Sequence, residues 1–195
     1  MELTARFYGL PVKTLDPLAL SAIPERARRV HPIAGVPQIL TGFILQEVLS
    51  PRRPRDAVAT IALTTSDLWP GEGWNFVFGE ASLTERVGVW SLARYGDPEK
   101  DAARVLRRTL NVATHELGHM FGIAHECGMN GSNNLEESDR QPLPFCAECE
   151  QKIWWACGVD PVARYTALVA FAEANGLARE AAEWKARLSA LQPRR

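Results

Sequence analysis

The sequence predicts an α+β fold, and three observations carry that reading. Strand-like stretches rich in β-branched and apolar residues cluster between residues 58 and 94. Amphipathic helical stripes dominate from residue 98 onward. The 195 residues are 46% hydrophobic and 23% charged, an ordinary globular balance. This length supports one sizeable core, so residues 1–195 are expected to form a single domain. With 22 basic against 23 acidic residues, no net field draws nucleic acid or an anionic membrane to the chain as a whole. The densest basic spot, "PRRPR" at 51–55, is broken by prolines and reads as a solvated loop. The start "MELTARFYGLPVK" has neither a charged nor an apolar leader region, and no window is long and apolar enough for a membrane span. A cytoplasmic monomer that binds neither nucleic acid nor membrane is therefore expected.

Taken in order, residues 1–37 are punctuated by prolines and yield one initial strand near Leu3 to Tyr8. From Gln38 to Leu49, apolar Ile39, Leu40, Phe43, Ile44, Leu45 and Val48 recur at helical spacing until "SPRRP" stops them. Val58 to Thr64 is β-branched and ends at a Trp-Pro turn, as a buried strand does. "WNFVFGEAS" and "RVGVWSLAR" read as two further strands joined by "LTER". Asp97, Pro98 and Glu99 supply an N-cap, a first-turn proline and a first-turn acid for a helix running to about Phe121, with the stripe Leu106, Leu110, Ala113, Leu117, Phe121. After a polar segment at 130–141, a third helix covers Leu143 to Ala156. Asp160-Pro161 opens a fourth, with Tyr165, Leu168, Val169 and Ala172 inward and Gly176 closing it. Leu177, Ala181, Trp184, Leu188 and Leu191 stripe the last, so a C-terminal helical hairpin spans about 160–192, capping the core or receiving a partner.

Chemistry concentrates in "HELGHMFGIAH", which places three of the four histidines within residues 115–125 beside Glu116. Four residues of helix turn the chain about 400°, so His115 and His119 share a face, about 6 Å apart along the axis, and can hold one ion. A continued helix would swing His125 about 120° away. Gly122 removes that obstacle, because glycine takes the left-handed conformation that ends a helix and folds the chain back. Three imidazoles leave a fourth tetrahedral position to water, the mark of a catalytic zinc. Glu116 lies about 100° round the helix from His115, flanking the metal as a general base should. Five fixed positions in this order arise by chance in a chain this long only about once in 10⁵. The lone His31 reads as a surface or loop residue with no assigned role.

These residues resemble the metzincin clan of zinc endopeptidases, and more closely the archaemetzincins. Met129 matches the clan's Met-turn methionine. Cys127, Met129, Cys146 and Cys149 match the subfamily's Cys-x-Met and Cys-x-x-Cys. "DLWP", "WNFVFGEAS", "MNGSNNLEESDRQPL" and "RYTAL" are similar to archaemetzincin segments. The resemblance implies a zincin-like fold: a twisted mixed β-sheet packed with helices, the active-site helix at the floor of a cleft and an edge strand along its rim. "WNFVFGEAS" is the candidate for that strand, with an inner strand as the alternative. It further implies a peptide or protein substrate and a catalytic zinc ion on His115, His119 and His125. A second, structural zinc would sit on Cys127, Cys146 and Cys149.

That second set departs from the family. Glu126 stands where the family's first cysteine follows the third histidine, and about five residues are missing before Cys127. Glu126 or water could complete the site, or it could stay empty. Cys157, eight residues beyond Cys149 on one helix, is about 12 Å away, too far to share an ion with it. Two functional readings stay open. One is a zinc metallopeptidase with Glu116 as base, whose resemblance to animal members hints at aminopeptidase action. The other is a catalytically weak, zinc-stabilised peptide-binding module on the same fold. Every cysteine follows the histidines, so no cysteine-switch zymogen is expected.

Overall fold

The computed structural model describes residues 1–123, 129, 132 and 134–191. The chain divides into two compact units, Met1–Lys13 with Asp97–Arg195, and Thr14–Gly96.

The first unit opens with α1 (Glu2–Tyr8), where the sequence suggested a strand. Leu3 and Phe7, one turn apart, are buried with Tyr8, while Glu2 and Arg6 pair on the exposed side. Gly9 closes the helix at φ 64°. Distant partners decide the conformation. Phe7 packs edge-on against Phe145 at 5.2 Å between centroids, Arg164 Nε donates to Phe7 O over 2.5 Å, and Arg6 Nη1 donates to Ala167 O over 3.0 Å. No local pattern in eight residues could announce contacts made more than a hundred positions away.

The second unit holds β1 (Arg28–Val30), β2 (Pro37–Leu40), α2 (Thr41–Phe43), β3 (Thr60–Thr64), β4 (Asp67–Trp69), β5 (Gly79–Ser82) and β6 (Val87–Ser91). Two mixed three-stranded sheets form, β1-β2-β4 and β3-β6-β5. β2 runs parallel to β4 and β3 parallel to β6, while β1 and β5 add antiparallel edges. The expected "WNFVFGEAS" strand is thus an edge strand, shortened to Gly79–Ser82 and turned back into β6.

The helix expected over 38–49 begins late. Gln38 to Leu40 lie in β2, where the Gln38 amide donates to Asp67 Oδ2 (2.8 Å) and Asn75 O (2.9 Å). From Thr41 the chain is helical and winds as a π-helix over Ile44–Leu49. Ile39, Ile44, Leu45, Leu49, Leu68, Val87 and Val89 form this unit's apolar core. His31 is buried, its Nδ1 accepting from the backbone N–H groups of Ile33 and Ala34, so it braces a turn instead of lying on the surface. The "PRRPR" run is largely exposed.

The rest of the first unit is helical: α3 (Ala102–Met120), α4 (Leu135–Arg140), α5 (Ala147–Cys157), α6 (Pro161–Ala174) and α7 (Ala178–Leu191). α3 starts four residues later than the sequence suggested. Its cap is Asp101, whose side chain accepts from Arg104 N, while Asp97 caps a preceding turn through Glu99 N. α4 falls in the segment read as merely polar, with Asn134 as its N-cap. α6 begins at the expected Asp160 cap, and Leu168, Ala172 and Trp184 bury the seam of the α6–α7 hairpin.

A charged pair lies inside this unit. Glu150 and Arg164 are both buried, with Oε2 2.5 Å from Nη1, and burial pushes the Glu150 carboxyl above its ordinary range despite Arg164 and Arg187.

Candidate metal centre

α3 carries His115, Glu116 and His119 in its last two turns. The two imidazoles meet at right angles, centroids 4.7 Å apart, and their Nε2 atoms converge to 3.1 Å. Two zinc–nitrogen bonds of about 2.1 Å at a tetrahedral angle would set their nitrogens about 3.4 Å apart, so the pair fits one ion. The tautomer of a neutral His119 follows from its other nitrogen. Nδ1 lies 2.9 Å from Ile123 O, and a carbonyl can only accept, so Nδ1 carries the hydrogen and a neutral ring presents the lone pair of Nε2.

The carbonyl that does this is placed by the helix end. Gly122 takes φ 78°, Ile123 N donates to Gly118 O (3.0 Å) and Gly122 N to His119 O (2.8 Å), the paired bonds of a Schellman stop. The left-handed helix stop expected at Gly122 is therefore present. His125, the third expected ligand, lies outside the described residues, as do Glu126 and Cys127. No group of three His, Cys, Asp or Glu side chains suited to a metal is found among the described residues.

Met129 is fully buried against Gly118, on the same helix turn as His119. A Cβ built on Gly118 would come within 2.6 Å of Met129 Sδ, 2.7 Å of its Cε and 3.5 Å of Phe145 Cε2. Gly118 is thus the floor that admits the methionine. The sequence held a signal for it, since glycine inside a helix costs about 1 kcal/mol relative to alanine and marks a close approach.

Tyr8 donates its hydroxyl to Thr114 O (2.6 Å) and stacks on Phe121 at 4.8 Å, so α1 braces α3 just before and just after the histidine pair in sequence. Burial raises the Tyr8 phenol well above its ordinary range, against the nearby Arg164 charge. Glu116 is half-buried on the same helix.

Cys146 caps α5 and Cys149 lies buried in its first turn, so both expected cysteines are on one helix start. α5 runs unbroken to Cys157, which keeps that thiol about 12 Å along the axis from Cys149. Cys157 is half-buried, and burial raises its pKa, partly offset by Arg164. No helix among the described residues is long and apolar enough to cross a membrane.

Comparison with known proteins agrees with this geometry. Residues 55–154 match the model of Peptidase family M54. Archaemetzincin-2 of Macaca fascicularis is 40% identical over 85% of this chain, which spans about half (54%) of that relative's length. The archaemetzincin of Thermococcus kodakarensis is 35% identical, over 74% of this chain and 79% of its own. Among solved structures, archaemetzincin from Archaeoglobus fulgidus complexed with malonate superposes with TM-score 0.58 at 28% identity, covering 76% of this chain and 86% of its own. The Methanopyrus kandleri archaemetzincin gives TM-score 0.55 at 35% identity, covering 70% and 73%. With the family model spanning half the chain and an archaeal relative above 30% identity matched over 79% of its length, the chain belongs to peptidase family M54, the archaemetzincins, a family of zinc-dependent metallopeptidases with a zincin-like fold.

Proposed function

We propose that this chain hydrolyses peptide bonds, with His115, His119 and His125 holding a catalytic zinc and Glu116 serving as general base. The observation that carries the reading is the convergence of two Nε2 atoms to 3.1 Å with the His119 tautomer fixed by Ile123 O. Bound there, zinc supplies Lewis acidity and lowers the pKa of a water toward about 7. Glu116 takes the proton from the attacking water and returns it to the leaving amine. Gly118, Met129 and Tyr8 hold the helix that presents these groups, and Gly122 ends that helix three residues before His125 in the sequence.

Cys127, Cys146 and Cys149 are proposed to hold a second zinc that staples the start of α5. Elemental analysis of the native protein beside Cys127→Ser counts the ions: two falling to one supports that site. The catalytic reading is tested by Glu116→Gln, for which zinc retention with loss of peptide-library cleavage is expected. Continued cleavage by that variant would refute the role of Glu116. A native zinc form that binds peptides without cutting them would replace the peptidase reading with a binding module.

A further inference from the structure

Ile123 and α4, which stand on either side of residues 124–133 in the sequence, are both bonded to α3. The entry flank is the Schellman stop, with Ile123 O accepting from His119 Nδ1. The exit flank is α4, six residues that bury few apolar groups of their own. What fixes α4 is a clasp of polar side chains on α3. Arg108 grips Asp139 with two parallel bonds, Nε to Oδ1 at 2.8 Å and Nη2 to Oδ2 at 2.5 Å. Asn111 Nδ2 donates to Ser138 Oγ (2.9 Å) and Ser138 O (3.2 Å), with both residues buried. The Arg108 guanidinium holds the Asp139 carboxyl below its ordinary range, as a bidentate pair should. Arg108, Asn111 and His115 follow one another at steps of three and four, so one stripe of α3 grips α4 and then presents a histidine.

We propose that Arg108, Asn111, Ser138 and Asp139 are positioning residues of the zinc site, a clasp that sets zinc affinity by fixing the exit flank of the segment containing His125. This rests on the reading of His125 as a ligand. With one flank loose, ordering the segment would be charged against metal binding, as loop closure requires. Outer partners that orient ligands typically change metal affinity about 10- to 100-fold when removed.

The test measures zinc affinity of the apo-protein by competition with a chromophoric chelator, alongside thermal melting of the apo form. Asp139→Asn is expected to weaken zinc about 10- to 100-fold. Exchanging the charges, Arg108→Asp with Asp139→Arg, is expected to recover part of that loss. Ser138→Ala, a smaller change, is expected to weaken zinc by a few-fold and serves if Asp139→Asn does not fold. The control is Asp160→Ala, which removes the 2.7 Å cap bond from Ala163 N at the start of α6 and leaves the α3–α4 bonds in place. A merely structural clasp would make the two variants alike, whereas the proposal expects Asp160→Ala to lower the melting temperature with zinc affinity within about twofold of native. Native-like zinc affinity in Asp139→Asn and Ser138→Ala, or equal weakening in Asp160→Ala, would overturn the clasp. Native protein that takes up no zinc would overturn the histidine reading itself, and the clasp with it.

Discussion

Gly118→Ala sets a gain in helix propensity against a collision, and the structure predicts which wins. Alanine in place of a helical glycine is worth about 1 kcal/mol in an unobstructed helix. Here its Cβ would fall 2.6 Å from Met129 Sδ and 2.7 Å from Met129 Cε, inside contact distance. The end of a methionine is flexible, but this one is fully buried, with Phe145 Cε2 only 3.5 Å from the same point. Overpacking of this kind costs about 1–3 kcal/mol. The net expectation is a destabilisation of about 0–2 kcal/mol in the native background. In a Met129→Ala background the obstacle is gone, and the same substitution should stabilise by up to about 1 kcal/mol. Urea unfolding of the four proteins in the metal-free state closes a double-mutant cycle, with an expected coupling of about 1–3 kcal/mol. A coupling near zero, with Gly118→Ala equally stabilising in both backgrounds, would show that the glycine is not there to admit Met129.

Two further outcomes follow from the first unit. Tyr8→Phe removes the hydroxyl bond to Thr114 O and is expected to cost about 1 kcal/mol near neutral pH. Since burial raises the Tyr8 pKa in the folded state, its contribution is complete below the unfolded value of about 10 and is lost as pH rises beyond it, so urea midpoints from pH 8 to 11 should fall more steeply for native protein than for Tyr8→Phe. Arg164→Met leaves Glu150 buried beside the exposed-side Arg187 alone and is expected to cost about 3–5 kcal/mol, while adding Glu150→Leu should recover much of it; an unchanged midpoint in the single variant would contradict the buried pair.

The α+β class and the helix bearing His115 and His119 are legible in the sequence, several elements around them are not, and the difference is one of distance along the chain. His115, His119 and Gly122 act through helix geometry over a few residues, so spacing alone announces them. The same holds for α6 and α7, whose Asp160 cap and buried Leu168, Ala172, Ala181 and Trp184 obey a local period. α1 differs from the expected strand because Leu3, Phe7 and Tyr8 fit either period until Phe145, Thr114 and Phe121 choose between them. β2 replaces the start of the expected helix because Gln38 is buried as a strand residue with Asp67 and Asn75 satisfying its amide. "LEESDR" gave no amphipathic signal, since what holds α4 is hydrogen bonding from Arg108 and Asn111. The Ile123 carbonyl that orients His119 is backbone, and no residue type marks it.

α1 and the histidine helix it braces are brought together from opposite sides of an intervening stretch, Thr14–Gly96, that makes a compact unit of its own. On a ribosome the intervening unit can finish while the first eight residues still wait, because Phe145, Ala167 and Arg164 have yet to be translated. Until then Phe7 and Tyr8 have no hydrophobic berth, and the slow step in maturation should be the docking of this early helix onto late-made ones, a closure that spans most of the polypeptide.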